Sequence, residues 1–105
     1  MSTVKYPDFI EKLAKLKEGK DDRWDIMAFT LSTCQWCKKC KKYLQENDIQ
    51  YRYIDVDQID SGEKAEIINF LRENFQNRIS YPFLVIDNHK TIVGYSPNKY
   101  DEVFG

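Results

Sequence analysis

Apolar positions change their period along this chain, and the changes mark out its elements. Phe9, Ile10, Leu13 and Leu16 recur at helical spacing, and Gly19 can close that first helix. Ile26 to Leu31 is a continuous apolar run broken only by Thr30, the pattern of a central strand covered on both faces. From about Trp36 to Asn47 the period returns to a helix, with Cys37, Cys40 and Leu44 on one side and Lys38, Lys39, Lys41, Lys42 and Glu46 largely elsewhere. Tyr51 to Val56 carries aromatic and branched residues and reads as a strand. Asp60 and Glu63 make a capping arrangement ahead of Ala65, Ile68, Leu71 and Phe75. Phe83 to Ile86 and Thr91 to Val93 read as strands joined by the turn Asp87-Asn88-His89-Lys90. Ser96-Pro97 opens a last helix whose apolar side is Tyr100, Val103 and Phe104.

The order is therefore α-β-α-β-α-β-β-α. A strand, helix and strand from Ile26 to Val56 form one right-handed crossover with parallel strands. The later hairpin extends the sheet antiparallel. The expected fold is a small three-layer α/β/α sandwich with a four-stranded mixed sheet and an N-terminal helix.

At 105 residues the chain is expected to be one domain, 1–105. A net charge of -1 supplies no general attraction to nucleic acid or an anionic membrane, so neither is expected as a partner. No apolar run approaches the roughly 20 residues needed to span a bilayer. Met1 to Ile10 carries Lys5 and Asp8 and no apolar core of a secretory signal. All three cysteines fall within Cys34 to Cys40, which reads as a local chemical site in a reducing compartment. The expected location is the cytoplasm.

Cys34-Gln35-Trp36-Cys37 lies where the apolar strand gives way to a helix. Two cysteines at this spacing make a dithiol that cycles between open and bridged forms. Unpaired N–H groups and the positive end of the helix dipole favour a thiolate at Cys34, and the thiolate is the nucleophile. Cys34 is expected to be exposed and attacking, with Cys37 one turn further in, shielded and resolving. Half a zinc site has the same spacing, but there is no second cysteine pair and His89 is the only histidine. Cys34, Cys37 and Cys40 read C-x2-C-x2-C, yet Leu44 stands where a ferredoxin run has its fourth cysteine. A cluster shared between two chains stays open. Cys40 reads as a small buried core residue, with a third redox role as its alternative. The lysine run is a solvated face that can contribute to partner choice. Trp36, a large aromatic at an exposed corner between two cysteines, is odd for core packing.

Three segments in order resemble the glutaredoxins, within the thioredoxin superfamily: Phe29 to Cys37, Arg78-Ile79-Ser80-Tyr81-Pro82, and Val93-Gly94-Tyr95-Ser96. The resemblance implies a thioredoxin-like fold and thiol–disulfide exchange through Cys34 and Cys37. It implies a cis-proline at Pro82, where the family has Thr-Val-Pro, with Tyr81 backbone groups holding an extended substrate. Gln35, Trp36, Arg78, Tyr81, Pro82, Gly94, Tyr95 and Ser96 would then frame the substrate groove, with Arg78 standing for a family glutathione contact. Departures bear on the reductant. Gln35 and Trp36 replace the Pro-Tyr of the common centre, and Leu31 replaces a lysine that helps bind a glutathione carboxylate. Gly94-Tyr95-Ser96-Pro97-Asn98 resembles the Gly-Phe-Arg-Pro-Asp stretch of glutaredoxin-shaped donors to ribonucleotide reductase, which take electrons from thioredoxin reductase. Ala28 stands where thioredoxins place a buried acid.

The expected function is reduction of protein or small-molecule disulfides, the donor being glutathione or a thioredoxin reductase-type system. No tightly bound cofactor is expected, with glutathione as a candidate co-substrate. The alternative is a glutathione-assisted carrier or scaffold for an iron–sulfur cluster.

Overall fold

The computed structural model describes residues 5–75 and 78–105. The elements run α1 (Asp8–Leu13), β1 (Lys15–Lys17), β2 (Ile26–Thr30), α2 (Gln35–Glu46), β3 (Tyr51–Asp55), α3 (Ser61–Asn74), β4 (Phe83–Ile86), β5 (Lys90–Val93) and α4 (Pro97–Phe104). The sheet order is β1-β3-β2-β4-β5. β2 and β3 are parallel, Met27 facing Arg52 and Thr30 facing Asp55, as a crossover through α2 requires. β4 is antiparallel to β2, with Phe83 opposite Phe29, so the entrance to β4 lies beside the exit of β2.

The sheet has five strands where the sequence pattern gives four. Leu16 keeps helical spacing after Leu13, but the helix stops at Leu13 and Ala14 is extended, with ψ at 133°. Lys15, Leu16 and Lys17 then pair antiparallel with Tyr53, Arg52 and Tyr51. Leu16 is 55% exposed, so burial never selected its position and the apparent helical repeat there was accidental. Gly19 does not cap the helix. A Cβ there would lie 2.6 Å from the Asp48 carbonyl oxygen and 2.7 Å from the Gln50 nitrogen. The glycine lets the chain leaving β1 cross the turn between α2 and β3, where Asp21 donates to the Asp48 carbonyl and accepts from Gln50.

Two apolar layers flank the sheet. Ile26, Ala28, Leu84 and Ile86 pack with Cys40 and Leu44 of α2 and Tyr100 and Phe104 of α4. Met27, Phe29, Phe83 and Val85 pack with Tyr6, Ile10 of α1 and Ile67 and Leu71 of α3. Every residue of β2 and β4 is buried, which is why their sequences show no alternation. α3 starts as its sequence indicates, with the Asp60 carboxylate accepting from Gly62 and Glu63. Asp87 and Asn88 take left-handed backbone in the turn before β5, which these residue types tolerate. No helix of the described residues is long and apolar enough to cross a membrane.

Candidate active site

Cys34 is the N-cap of α2. Its backbone is extended, its carbonyl accepts the first helical bond from Lys38 at 3.1 Å, and its sulfur accepts from the Cys37 N–H at 3.3 Å. The position normally belongs to a serine, threonine or aspartate oxygen. Here a sulfur takes that place, and the bond fixes its position over the first turn of the helix. Cys34 is half-buried, not fully exposed as the sequence suggested, because the turn Leu31 to Cys34 folds back on itself: Cys34 N–H donates to the Leu31 carbonyl at 3.2 Å.

That turn is tied to the sheet by contacts the sequence did not announce. Asp57, just beyond β3, accepts from the Ser32 N–H at 2.9 Å and from its hydroxyl at 2.6 Å. The Ser32 hydroxyl holds the Asp57 carboxyl below the usual carboxylate range. Gln58 donates to the same hydroxyl at 3.1 Å. A fixed loop keeps Cys34 over the helix head.

Cys37 is fully buried, and its sulfur lies 3.5 Å from the Leu31 N–H. Burial, and then the hydrogen bond with Cys34, push its thiol up to about 12. Cys40 is buried too. Burial pushes its thiol up to about 11, against a hydrogen bond with the Tyr100 hydroxyl and the Lys41 charge. The three cysteines are free thiols. They divide into a half-exposed sulfur at the helix head and two buried ones behind it.

The Tyr81–Pro82 bond is cis, the isomer the resemblance implied. Tyr81 is half-buried, and its phenol is pushed up by burial and by the nearness of Cys37. The Pro82 carbonyl accepts from the Gly94 N–H at 2.8 Å, which ties the cis-proline to the end of β5. Gly94 has φ at +83°, and its carbonyl accepts from the Tyr100 hydroxyl at 3.0 Å. Tyr95 then stacks on Trp36, centroids 6.3 Å apart and planes 23° apart. Ser96 caps α4 through its backbone, its carbonyl accepting from Tyr100 N–H at 2.9 Å. Thus Cys34, Cys37, Trp36, Tyr81, Pro82, Gly94, Tyr95 and Ser96 gather at one end of the sheet. Gln35 is exposed as the first residue of α2, and Arg78 is exposed in the segment leading to Tyr81. Among the described residues, no group of three or more His, Cys, Asp or Glu side chains is arranged to hold a metal ion.

A glutaredoxin family model matches residues 26–90, from the first strand of the crossover to the start of β5. The chain belongs to the glutaredoxin family. It is similar in structure to the glutaredoxin of Methanosarcina mazei Go1, with a TM-score of 0.76, 33% identity, and 88% of this chain and 87% of that one covered. It is also similar to Methanosarcina acetivorans methanoredoxin, with a TM-score of 0.75, 34% identity, and coverage of 83% and 90%. Among curated proteins it is 31% identical over 86 residues to the Gene 56 protein of Mycobacterium phage L5, covering 82% of this chain and 81% of that protein. With the family established, the Cys34-x-x-Cys37 pair at a helix head suggests a thiol oxidoreductase.

Proposed function

We propose that this glutaredoxin reduces disulfides through a two-cysteine cycle. The observation that carries the reading is the asymmetry within one helical turn: Cys34 is half-exposed and held by the Cys37 N–H, while Cys37 is buried with its thiol pushed up to about 12. The Cys34 thiolate attacks one sulfur of a substrate disulfide, forms a mixed disulfide and expels the other sulfur as a thiolate. Cys37 then loses its proton and attacks the Cys34 sulfur. The second substrate thiolate leaves, and a Cys34–Cys37 bridge remains. Two electrons have passed from the dithiol to the substrate.

Burial gives Cys37 its timing. A thiol kept protonated does not compete for the incoming disulfide, and it acts once the mixed disulfide sits one turn away. Tyr81 gives the substrate its place. Tyr81 precedes β4 at the cis bond, outside the strand, where its main chain can pair with an extended substrate strand. Trp36 and Tyr95 wall the same groove.

The cycle closes with an outside reductant. Leu31 in place of the family lysine removes a cation that would meet a glutathione carboxylate, so glutathione is the weaker donor in this reading and a thioredoxin reductase-type system the stronger. The test pairs the oxidised protein separately with glutathione and with a thioredoxin reductase system. Faster turnover with the reductase system is expected. Equal turnover with both removes the donor assignment, and disulfide reduction by Cys34→Ser removes the cycle.

A further inference from the structure

Trp36 is 56% exposed, although it is one of the largest apolar side chains of the protein. It is not loose: Tyr95 stacks on its ring, and the Lys39 ammonium lies 4.7 Å from the ring centre. Tyr95 meets Tyr100 edge-on at 5.6 Å, and Tyr100 meets Tyr43 at 5.2 Å. Beside this aromatic wall runs a groove of about 300 Å³, lined by Lys39, Lys42, Tyr43, Glu46 and Tyr95. Its volume is at the lower end of the range for ligand sites.

The groove is joined to the corner that carries the dithiol through Tyr95, which lines it and stacks on Trp36. Trp36, Lys39 and Tyr43 follow one another at three and four residues, so they form one stripe along α2 that starts beside Cys34. From Trp36 to Glu46 the helix rises about 15 Å. That is the reach of about four or five extended residues.

Lysines outnumber acids along the groove, whose lining holds Lys39 and Lys42 against Glu46, with Asp101 accepting from the Tyr43 hydroxyl at 2.7 Å. Lys42 meets Glu46 only at 4.0 Å, and Lys41 is tied to Asp55. Among the described residues, no carboxylate lies within ion-pair distance of Lys38 or Lys39. Lys38, Lys39 and Lys42 against Glu46 and Asp101 leave this flank with a small positive excess on a chain whose net charge is -1. An aromatic floor under a lysine rim complements an acidic peptide that carries an aromatic side chain.

We propose that this stripe is a docking subsite for protein substrates. It takes an acidic, aromatic-bearing segment within four or five residues of the cysteine that Cys34 attacks. The proposal rests on the reading of Cys34 as the attacking thiol. It adds that disulfides on acidic protein segments are the preferred class.

The test uses three disulfides with the reduced full-length protein. Two are peptides with the same disulfide, one flanked by Glu and Phe and the other by Lys and Phe. The third is a small uncharged disulfide. At low salt the acidic peptide is expected to have about tenfold higher kcat/KM than the basic one, mainly through KM, the gap closing near 1 M salt. Lys39→Gln with Lys42→Gln should bring the two peptides close together, and Lys39→Glu with Lys42→Glu should reverse their order. No structural effect of these exposed substitutions reverses a preference. Equal turnover of the two peptides by the unaltered protein, or an unchanged order after charge reversal, overturns the docking proposal alone. Failure with all three disulfides, the uncharged one included, overturns the dithiol reading beneath it.

Discussion

The Cys34 sulfur lies 3.3 Å from the backbone nitrogen of Cys37, the residue that completes its reaction. One N–H group thus caps the helix, orients the nucleophile and fixes the spacing between the two thiols. The Cys37 sulfur lies under the active-site loop, 3.5 Å from the Leu31 nitrogen, and its thiol also meets Cys34. Opposite burial within one turn separates the first attack from the second.

The two thiols should therefore label in order. Limited iodoacetamide at pH 7 should modify Cys34 and leave Cys37 and Cys40 untouched in the folded protein, as read by peptide mass spectrometry. Cys34→Ser should abolish turnover, whereas Cys37→Ser should accumulate mixed disulfides with substrate. Labelling of Cys37 at the same rate as Cys34 would contradict the shielding seen here.

Burial of protonated thiols and phenols sets an alkaline limit. Cys37 is pushed up to about 12, Cys40 to about 11 and Tyr43 to about 12, each first by burial, with Tyr100 raised as well. These groups ionise earlier in the unfolded chain than in the native one. Above the unfolded thiol value near ~8.5 the native state holds more protons, so stability falls as pH rises. The reduced protein should keep this contribution below pH ~8.5 and lose it progressively between pH ~8.5 and 12. Each group adds a slope of at most about 1.4 kcal/mol per pH unit. Urea unfolding across that range checks the decline, and Cys37→Ala should make it shallower.

Two glycines should fail on substitution for different reasons. Gly19→Ala drives a methyl group into the backbone of Asp48 to Gln50 and should cost about 1–3 kcal/mol. Gly94→Ala meets nothing within 4 Å, but its φ of +83° lies in the left-handed region and should cost about 1–2 kcal/mol. Only Gly94 is joined to Pro82 and Tyr100, so only that variant should also lower disulfide turnover. Unfolding curves together with rates on a small disulfide separate the two cases.

Local chemistry was legible in the sequence where it depends on near neighbours. The dithiol, the α2 periodicity, the Asp60 cap and the β4–β5 turn each involve residues a few positions apart. β1 escaped because three exposed residues leave no burial pattern, and Leu16 then mimicked the next turn of a helix. The Ser32–Asp57 tie and the Trp36–Tyr95 stack escaped because they follow from strand order. Residues 25 and 59 positions apart meet only once the crossover and the hairpin are built. Ala28, read as the loss of a buried acid, tells only part of that story. A different acid, Asp55, lies in the neighbouring strand opposite Thr30.

Asp55 carries the last prediction. The Thr30 hydroxyl donates to its Oδ1 at 2.5 Å, and the Lys41 ammonium lies 3.0 Å from the same oxygen and 4.3 Å from the Tyr53 ring centre. The Lys41 and Asp55 side chains are only 21% and 19% exposed, so water screens the pair less than it screens the surface pairs. The pair joins α2 to β3 one helical turn beyond Cys37. Asp55→Asn would leave Lys41 without its counter-charge, and Lys41→Met would leave the carboxylate with Thr30 alone. Each single change should cost about 1–3 kcal/mol. The double variant should cost less than the sum by about 1 kcal/mol, since the second change removes a group the first has already stranded. Urea unfolding of the four proteins closes the cycle. Strict additivity would mean that the ion pair contributes nothing to holding α2 on the sheet.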